Sequence, residues 1–214
     1  MNQVGKQTDQ AVSNVVLEGH ELSKSFGKGR GAVSAVESVS LRLSEGEFIA
    51  IVGASGSGKT TLINLLSGLE RPDSGQVQVA GQDLSAASDA EMTRSRLRHI
   101  GVVFQTYNLM PTLSALDNVA MPLLLAGTRR RLAREKALQK LQDVGLAERS
   151  RSTPAQISGG EQQRVALARA MIHDPSIVFA DEPTGSLDRV NSRAVTQVLR
   201  ETVAAQNRAV VMVT

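Results

Sequence analysis

Cysteine is absent from the 214 residues, which removes disulfides and thiolate metal sites and fits a reducing compartment. Tryptophan is absent too, and only four Phe and one Tyr are present. The core must therefore be aliphatic, and an aromatic outside it stands out. There is no excess of one charge: 24 basic residues face 21 acidic ones, a balance that makes no case for a nucleic-acid partner. The clusters Arg94, Arg96, Arg98 and Arg129, Arg130, Arg131 read as solvated helix faces. Residues 1–10 contain no apolar run of the kind a secretory signal needs. The longest apolar stretch, 119–126, is interrupted by Pro122 and falls well short of the ~20 residues that span a bilayer. If this protein works at a membrane, another chain must supply the spanning segments.

What is present has the layout of an α/β protein. Residues 1–14 read as a polar, aperiodic, disordered tail. Strand-like sequence starts at Val15, and Val39, Leu41 and Leu43 alternate with polar residues as in a half-buried antiparallel strand. Phe48, Ile49, Ala50, Ile51 and Val52 form a continuous apolar run, the pattern of a strand covered on both faces. A helix is expected from Lys59 to about Ser67, stopped by Gly68. Ser88 and Glu91 form a capping box for a short helix, and Ile100 to Phe104 is again an apolar strand. Residues 106–155 show helical patterning, with Leu138, Leu141 and Val144 expected on one buried face and Gly145 as the stop. Beyond them come a helix over 161–171, a strand over 177–180, a helix over 193–204 and a strand over 209–213.

Three motifs carry chemistry. Gly53, Ala54, Ser55, Gly56, Ser57, Gly58, Lys59 and Thr60 fit the phosphate-binding pattern G-x-x-x-x-G-K-[ST], with Thr61 following inside the helix. Glycines let the backbone curl its N–H groups inward onto phosphate oxygens, and the helix start adds its positive end. Lys59 would reach the β- and γ-phosphates, and the Thr60 hydroxyl would ligate Mg2+. The second motif is the apolar run 177–180, delivering Asp181 and Glu182 at its end. Neighbours on a strand point to opposite sides, so the two acids are expected to have different tasks. Asp181 suits Mg2+, and Glu182 suits activation of an attacking water. The third is Ile157, Ser158, Gly159, Gly160, Glu161, a second glycine loop opening a second helix. Ser158 and Glu161 can form a capping box there, and such a start can also present N–H groups to an anion.

At these residues, and from about Val15 to Thr214, the chain resembles the ATP-binding cassette (ABC) family. Residues 53–60 match its Walker A motif, and 177–182 match Walker B with the catalytic glutamate. Residues 157–161 look like the LSGGQ signature, with Ile for Leu and Glu for Gln. The resemblance implies a P-loop NTPase core with a mostly parallel central sheet, an N-terminal antiparallel β-subdomain, and a helical subdomain inserted at about 106–155. It implies a signature loop that acts in trans, with Ser158, Gly159, Gly160 and Glu161 covering the γ-phosphate bound by a second, head-to-tail copy. Gln105 resembles the Q-loop glutamine that touches Mg2+ and the attacking water. Ser186, Leu187 and Asp188 resemble the D-loop that crosses the dimer interface. Phe26 occupies the place of an aromatic against adenine; a core role for it is the alternative.

The segment from Phe104 through Val119 is similar to the lipoprotein-release and macrolide-export branch of the family. There the helical subdomain and Q-loop form a groove for a helix of an integral membrane permease, and Tyr107, Leu109 and Met110 are candidate lining. The expected protein is thus an ATPase subunit, cytoplasmic and peripheral on the inner face of the cell membrane. Two alternatives differ in class: a non-transport ABC ATPase, which would carry coiled-coil or tandem-domain insertions, and an ATP-binding clamp that barely hydrolyses. The second draws on the sequence stopping at Thr214, before the position where the family places a histidine on the γ-phosphate. His20, His99 and His173 do not stand in for it, so this chain is expected to bind ATP and turn it over poorly.

Overall fold

The computed structural model of the chain describes residues 14–27, 29–185 and 189–214. Two sheets form; the run Phe48 to Val52, expected to be covered on both faces, lies instead on an edge strand, with Phe48 36% and Val52 77% exposed. β1 (Val15–Phe26), β2 (Val33–Ser44), β4 (Ser74–Val79) and β5 (Gln82–Asp83) make an antiparallel sheet in the order β2-β1-β4-β5. Its strands alternate buried and exposed positions because one face meets solvent. β3 (Phe48–Ile51), β6 (Ile100–Val103), β7 (Ile177–Asp181) and β8 (Ala209–Val213) make a second sheet, all parallel, in the order β3-β8-β7-β6.

β7 is buried at all five positions, and it separates two cores. Ile177 and Phe179 join the cluster shared with α1 (Lys59–Leu66) and the antiparallel sheet, through Leu62, Ile63, Leu65, Leu66, Leu17 and Val77. Val178 and Ala180 face the other way, toward Leu167 and Met171 of α5 (Gly159–Met171) and Val195 and Leu199 of α6 (Arg189–Gln206). α1 is therefore sandwiched between the sheets. Its apolar side is covered twice, and its N-terminus is left at the C-terminal end of the parallel strands, where open α/β sheets bind ligands.

α2 (Asp89–His99) carries the expected Ser88–Glu91 capping box. Between β6 and β7, α3 (Ala115–Leu125) and α4 (Arg130–Asp143) pack on α5 around their own cluster, which includes Val119, Ala133, Ala137 and Leu141. Here the expected face of α4 shifts: Leu138 is 38% exposed, and the small Ala133 and Ala137 are the buried positions beside Leu141. Alanines let α4 approach α3 closely, which larger residues would prevent. The tail expectation also contracts, because the Asn14 carbonyl already accepts the Glu45 N–H at 2.9 Å. Residues 1–13 and the D-loop residues Ser186, Leu187 and Asp188 lie outside the described residues.

Candidate functional site

The glycine loop after β3 has its shape dictated by two backbone positions. Gly58 sits at φ +86°, and a Cβ there would lie on the Ala35 carbonyl oxygen of β2. Gly56, at φ +79°, has open space around it and needs glycine for its dihedral alone. The turn brings Lys59 back over its own loop: Nζ donates to the Gly53 carbonyl at 2.8 Å and the Ala54 carbonyl at 2.9 Å. The lysine is nearly buried, so these carbonyls supply the partners that water cannot. α1 has no side-chain cap and no acid in its first turn, which leaves its leading N–H groups turned toward the loop's cavity.

That cavity, about 300 Å3, is lined by Ala35, Ser55, Gly56, Gly58, Lys59, Thr60, Thr61, Gln105 and Glu182. Asp181 lies behind that lining and reaches it through Thr60, whose hydroxyl donates to the Asp181 carboxylate at 3.1 Å. Burial pushes the Asp181 carboxyl above its ordinary range and the adjacent Glu182 charge adds to this, while Thr60 and Lys59 pull the other way. A buried carboxylate beside a threonine hydroxyl fits a hard divalent cation with oxygen ligands. Among the described residues no group of three or more His, Cys, Asp or Glu could hold a metal. A cation here would thus share hydroxyl, carboxylate and phosphate oxygens.

Strand alternation does not govern the second acid. β7 ends at Asp181, and Glu182 takes φ +42°, a left-handed conformation uncommon outside glycine. Its N–H donates to the Val213 carbonyl at 3.0 Å, and the Gly185 N–H donates to its carbonyl at 3.1 Å. This reversal swings the carboxylate back, so Asp181 and Glu182 converge on one loop. Glu182 Oε2 accepts from Gln105 Nε2 at 2.9 Å, and Oε1 lies 3.9 Å from Lys59 Nζ. Backbone strain of this kind gathers at functional sites. It recurs just after Gln105, where Tyr107 and Asn108 have φ +62° and +47°. Arg169 of α5 donates to the carbonyls of both residues. That clamp had no signal in the sequence beyond a charged residue on an otherwise apolar helix face.

The second glycine loop is built differently. Ser158 caps α5 and Glu161 returns the bond: Glu161 Oε2 accepts from the Ser158 N–H at 2.8 Å and from its hydroxyl at 2.9 Å. These bonds, the backbone one foremost, hold the Glu161 carboxyl below its usual range. A Cβ on Gly159 would sit 3.0 Å from the Tyr107 hydroxyl, so the loop after Gln105 packs directly on the start of α5. Residues 158–161 are not among those lining the cavity at Lys59. Phe26 is not there either: its ring is half exposed at the end of β1, paired with exposed Val33 and under Lys24 Nζ at 5.7 Å. This excludes the core reading of Phe26.

Comparison with known proteins gives the same reading. The family described as ABC transporter matches residues 36–185. The macrolide export ATP-binding/permease protein MacB of Chlorobaculum tepidum is 45% identical over 199 residues, 93% of this chain. The chain spans only 30% of that protein's length. The lipoprotein-releasing system ATP-binding protein LolD of Xanthomonas campestris is 43% identical over 208 residues, covering 97% of this chain and 86% of that protein. A dimeric ATP-binding cassette in a post-hydrolysis state with ADP and Pi superposes with a TM-score of 0.87, at 36% identity, over 92% of this chain and 87% of that one. Loop, paired acids and second glycine helix thus fall together in one fold and one lineage, and the chain belongs to the ABC transporter family as one of its ATP-binding cassettes.

Proposed function

We propose that this cassette hydrolyses ATP at an interface between two head-to-tail copies and so powers a separate integral membrane permease from the cytoplasmic face of the membrane. The observation that carries this is the incompleteness of each chain's own site. Lys59, Thr60, Gln105 and Glu182 line one cavity, with Asp181 hydrogen-bonded to Thr60 behind it, while Ser158 to Glu161 are not among its lining. A second copy would bring its own residues 158–161 over that cavity. The relatives support the reading: the post-hydrolysis structure is dimeric, and LolD and MacB are named for lipoprotein release and macrolide export.

In this reading the N–H groups of 55–60 hold the β- and γ-phosphates, and Lys59 exchanges its loop carbonyls for phosphate oxygens. Mg2+ held by the Thr60 hydroxyl and Asp181, with Gln105 at its edge, would neutralise phosphate charge. Glu182 takes the proton of the attacking water, and Gln105, already bonded to it, fixes its orientation. Phe26, exposed beside Val33, offers a face for the adenine. Asp188 would reach across the interface. Among the described residues no helix is long and apolar enough to cross a membrane. In this reading the permease would dock near Tyr107, Leu109 and Met110, the last 49% exposed.

The test is the Glu182→Gln variant, in which turnover should fall by about 10^3 as expected for loss of a general base. ATP should still bind, and the unspent nucleotide should hold two copies together. A variant that stays monomeric in sizing experiments under saturating ATP would overturn the composite site.

A further inference from the structure

The start of α5 carries a charge problem. In the trans reading a triphosphate approaches Ser158, Gly159 and Gly160 from the facing copy, yet the third residue of the helix here is Glu161. Its carboxylate suits the empty helix end, where it meets two N–H and O–H donors from Ser158. It does not suit an incoming phosphate. It repels like charge, and it occupies the one proton that the Ser158 hydroxyl can donate.

Arg149 answers both difficulties. Its Nε lies 3.3 Å from Glu161 Oε1, on the oxygen opposite the one bonded to Ser158. Its backbone is fixed: the Arg149 N–H donates to the Leu146 carbonyl at 3.0 Å, and Ser152 N–H to the Arg149 carbonyl at 2.9 Å. That short turn is pinned to the start of α3 by Ala115 N–H to Ser152 O at 2.8 Å and Leu116 N–H to Ser150 O at 2.9 Å. The side chain itself is 56% exposed against 20% for Glu161, so the guanidinium stands at the surface outside the carboxylate.

We infer that Arg149 is a positioning residue for the composite site: it holds and offsets the Glu161 carboxylate, so that the Ser158 hydroxyl is free to turn to the γ-phosphate of the facing copy. This rests on the head-to-tail reading above. Glu161 caps α5 in the lone chain, and Arg149 makes it tolerable in the closed dimer. Glutamine at 161 would need no such partner.

The experiment uses the Glu182→Gln chain, in which ATP-driven dimerisation is read by light scattering against ATP concentration at two salt concentrations. Adding Arg149→Gln should raise the midpoint about fivefold at low salt and less at high salt, as screening of exposed charge requires. Nucleotide binding by the single chain should stay within about twofold, since Arg149 lies away from the Lys59 cavity. Glu161→Gln added to Arg149→Gln should bring the midpoint back, and Arg149→Lys should recover most of it. An Arg149→Gln chain with an unchanged midpoint overturns the inference. So does a double variant as weak as Arg149→Gln alone, because Arg149 would then act other than through Glu161. Should Arg149→Gln lose its melting transition, Arg149→Lys and the double variant carry the same comparison. A Glu182→Gln chain that never dimerises removes the head-to-tail reading, and the inference with it; a dimer indifferent to Arg149 removes the inference alone.

Discussion

The two glycine loops of this chain open two helices in opposite ways. α1 begins without a side-chain cap, behind a left-handed Gly58, with a lysine and no acid in its first turn. α5 begins with a complete capping box: Glu161 accepts from the Ser158 N–H and hydroxyl, and the Glu161 N–H donates to the Ser158 hydroxyl oxygen. The first end is left open to an anion. The second is capped as it stands, so its Ser158 hydroxyl must leave Glu161 before it can donate to an anion. An uncapped helix start is a local cost, which Gly58 as the N-cap residue keeps to about a few tenths of a kcal/mol. In the proposed head-to-tail reading, the chain accepts that cost at the loop assigned to the nucleotide and avoids it at the loop assigned to the facing copy.

The largest expected break in this contrast is Gly58→Ala. Its Cβ would land on the Ala35 carbonyl at a dihedral that disfavours side chains, and neither backbone can yield easily. Stability should drop by about 3 kcal/mol, with loss of ATP binding, read by urea unfolding and nucleotide titration. Ser158→Ala comes next. It should cost about 1 kcal/mol in the lone chain by removing the α5 cap. ATP affinity of the single chain should be unmoved while ATP-driven dimerisation weakens. A Ser158→Ala chain that binds ATP poorly as a monomer would show that the two helix ends do not divide their work.

Gly159→Ala is the smallest and sharpens the comparison with Gly58. The obstacle is the Tyr107 hydroxyl, the far end of a side chain that can move, and alanine favours the helix. Melting of the lone chain should change by less than about 0.5 kcal/mol, with dimerisation again the property that suffers.

The acids extend the same contrast to pH. Asp181 is raised by burial, so the folded chain without ligand binds that proton more readily than the unfolded chain does. Its cost is present once the carboxylate ionises above its folded value, and is relieved as pH falls through that value. Glu161 is lowered by its bonds to Ser158, so its stabilisation is present above the unfolded value and is lost as pH falls through the folded one. Asp181→Asn should therefore melt higher than the parent at neutral pH without ligand, and the gap should shrink on acidification. The same variant should lose ATPase activity. A gap that grows on acidification would contradict the burial of that carboxylate.

Motif and strand were legible because their determinants are local. Glycine spacing needs only its own dihedrals, and the run 177–180 needs only continuous apolarity. Contacts across the fold were not. Nothing near Gly58 in the chain points to Ala35, which arrives from β2. Two-residue alternation put Asp181 and Glu182 on opposite sides, yet the left-handed turn at Glu182, paired to Val213 of β8, brings them together. Periodicity chose Leu138 for the face of α4, whereas close packing against α3 selected Ala133 and Ala137. No motif in the sequence singles out Arg149 or Arg169. Their roles come from reaching Glu161 and the carbonyls of Tyr107 and Asn108, at sequence separations no local pattern encodes.

The Lys59 tether has a kinetic consequence. Because Nζ is already bonded to the Gly53 and Ala54 carbonyls, the loop is held in its curled form before any nucleotide arrives. Capture is then an exchange of partners on a prepared scaffold: the loop has no curling left to do, and Lys59 trades two carbonyls for phosphate oxygens. The burden of discrimination shifts to departure: a ligand lacking the β- and γ-phosphates gives Lys59 no reason to let go of its own backbone, and it leaves quickly.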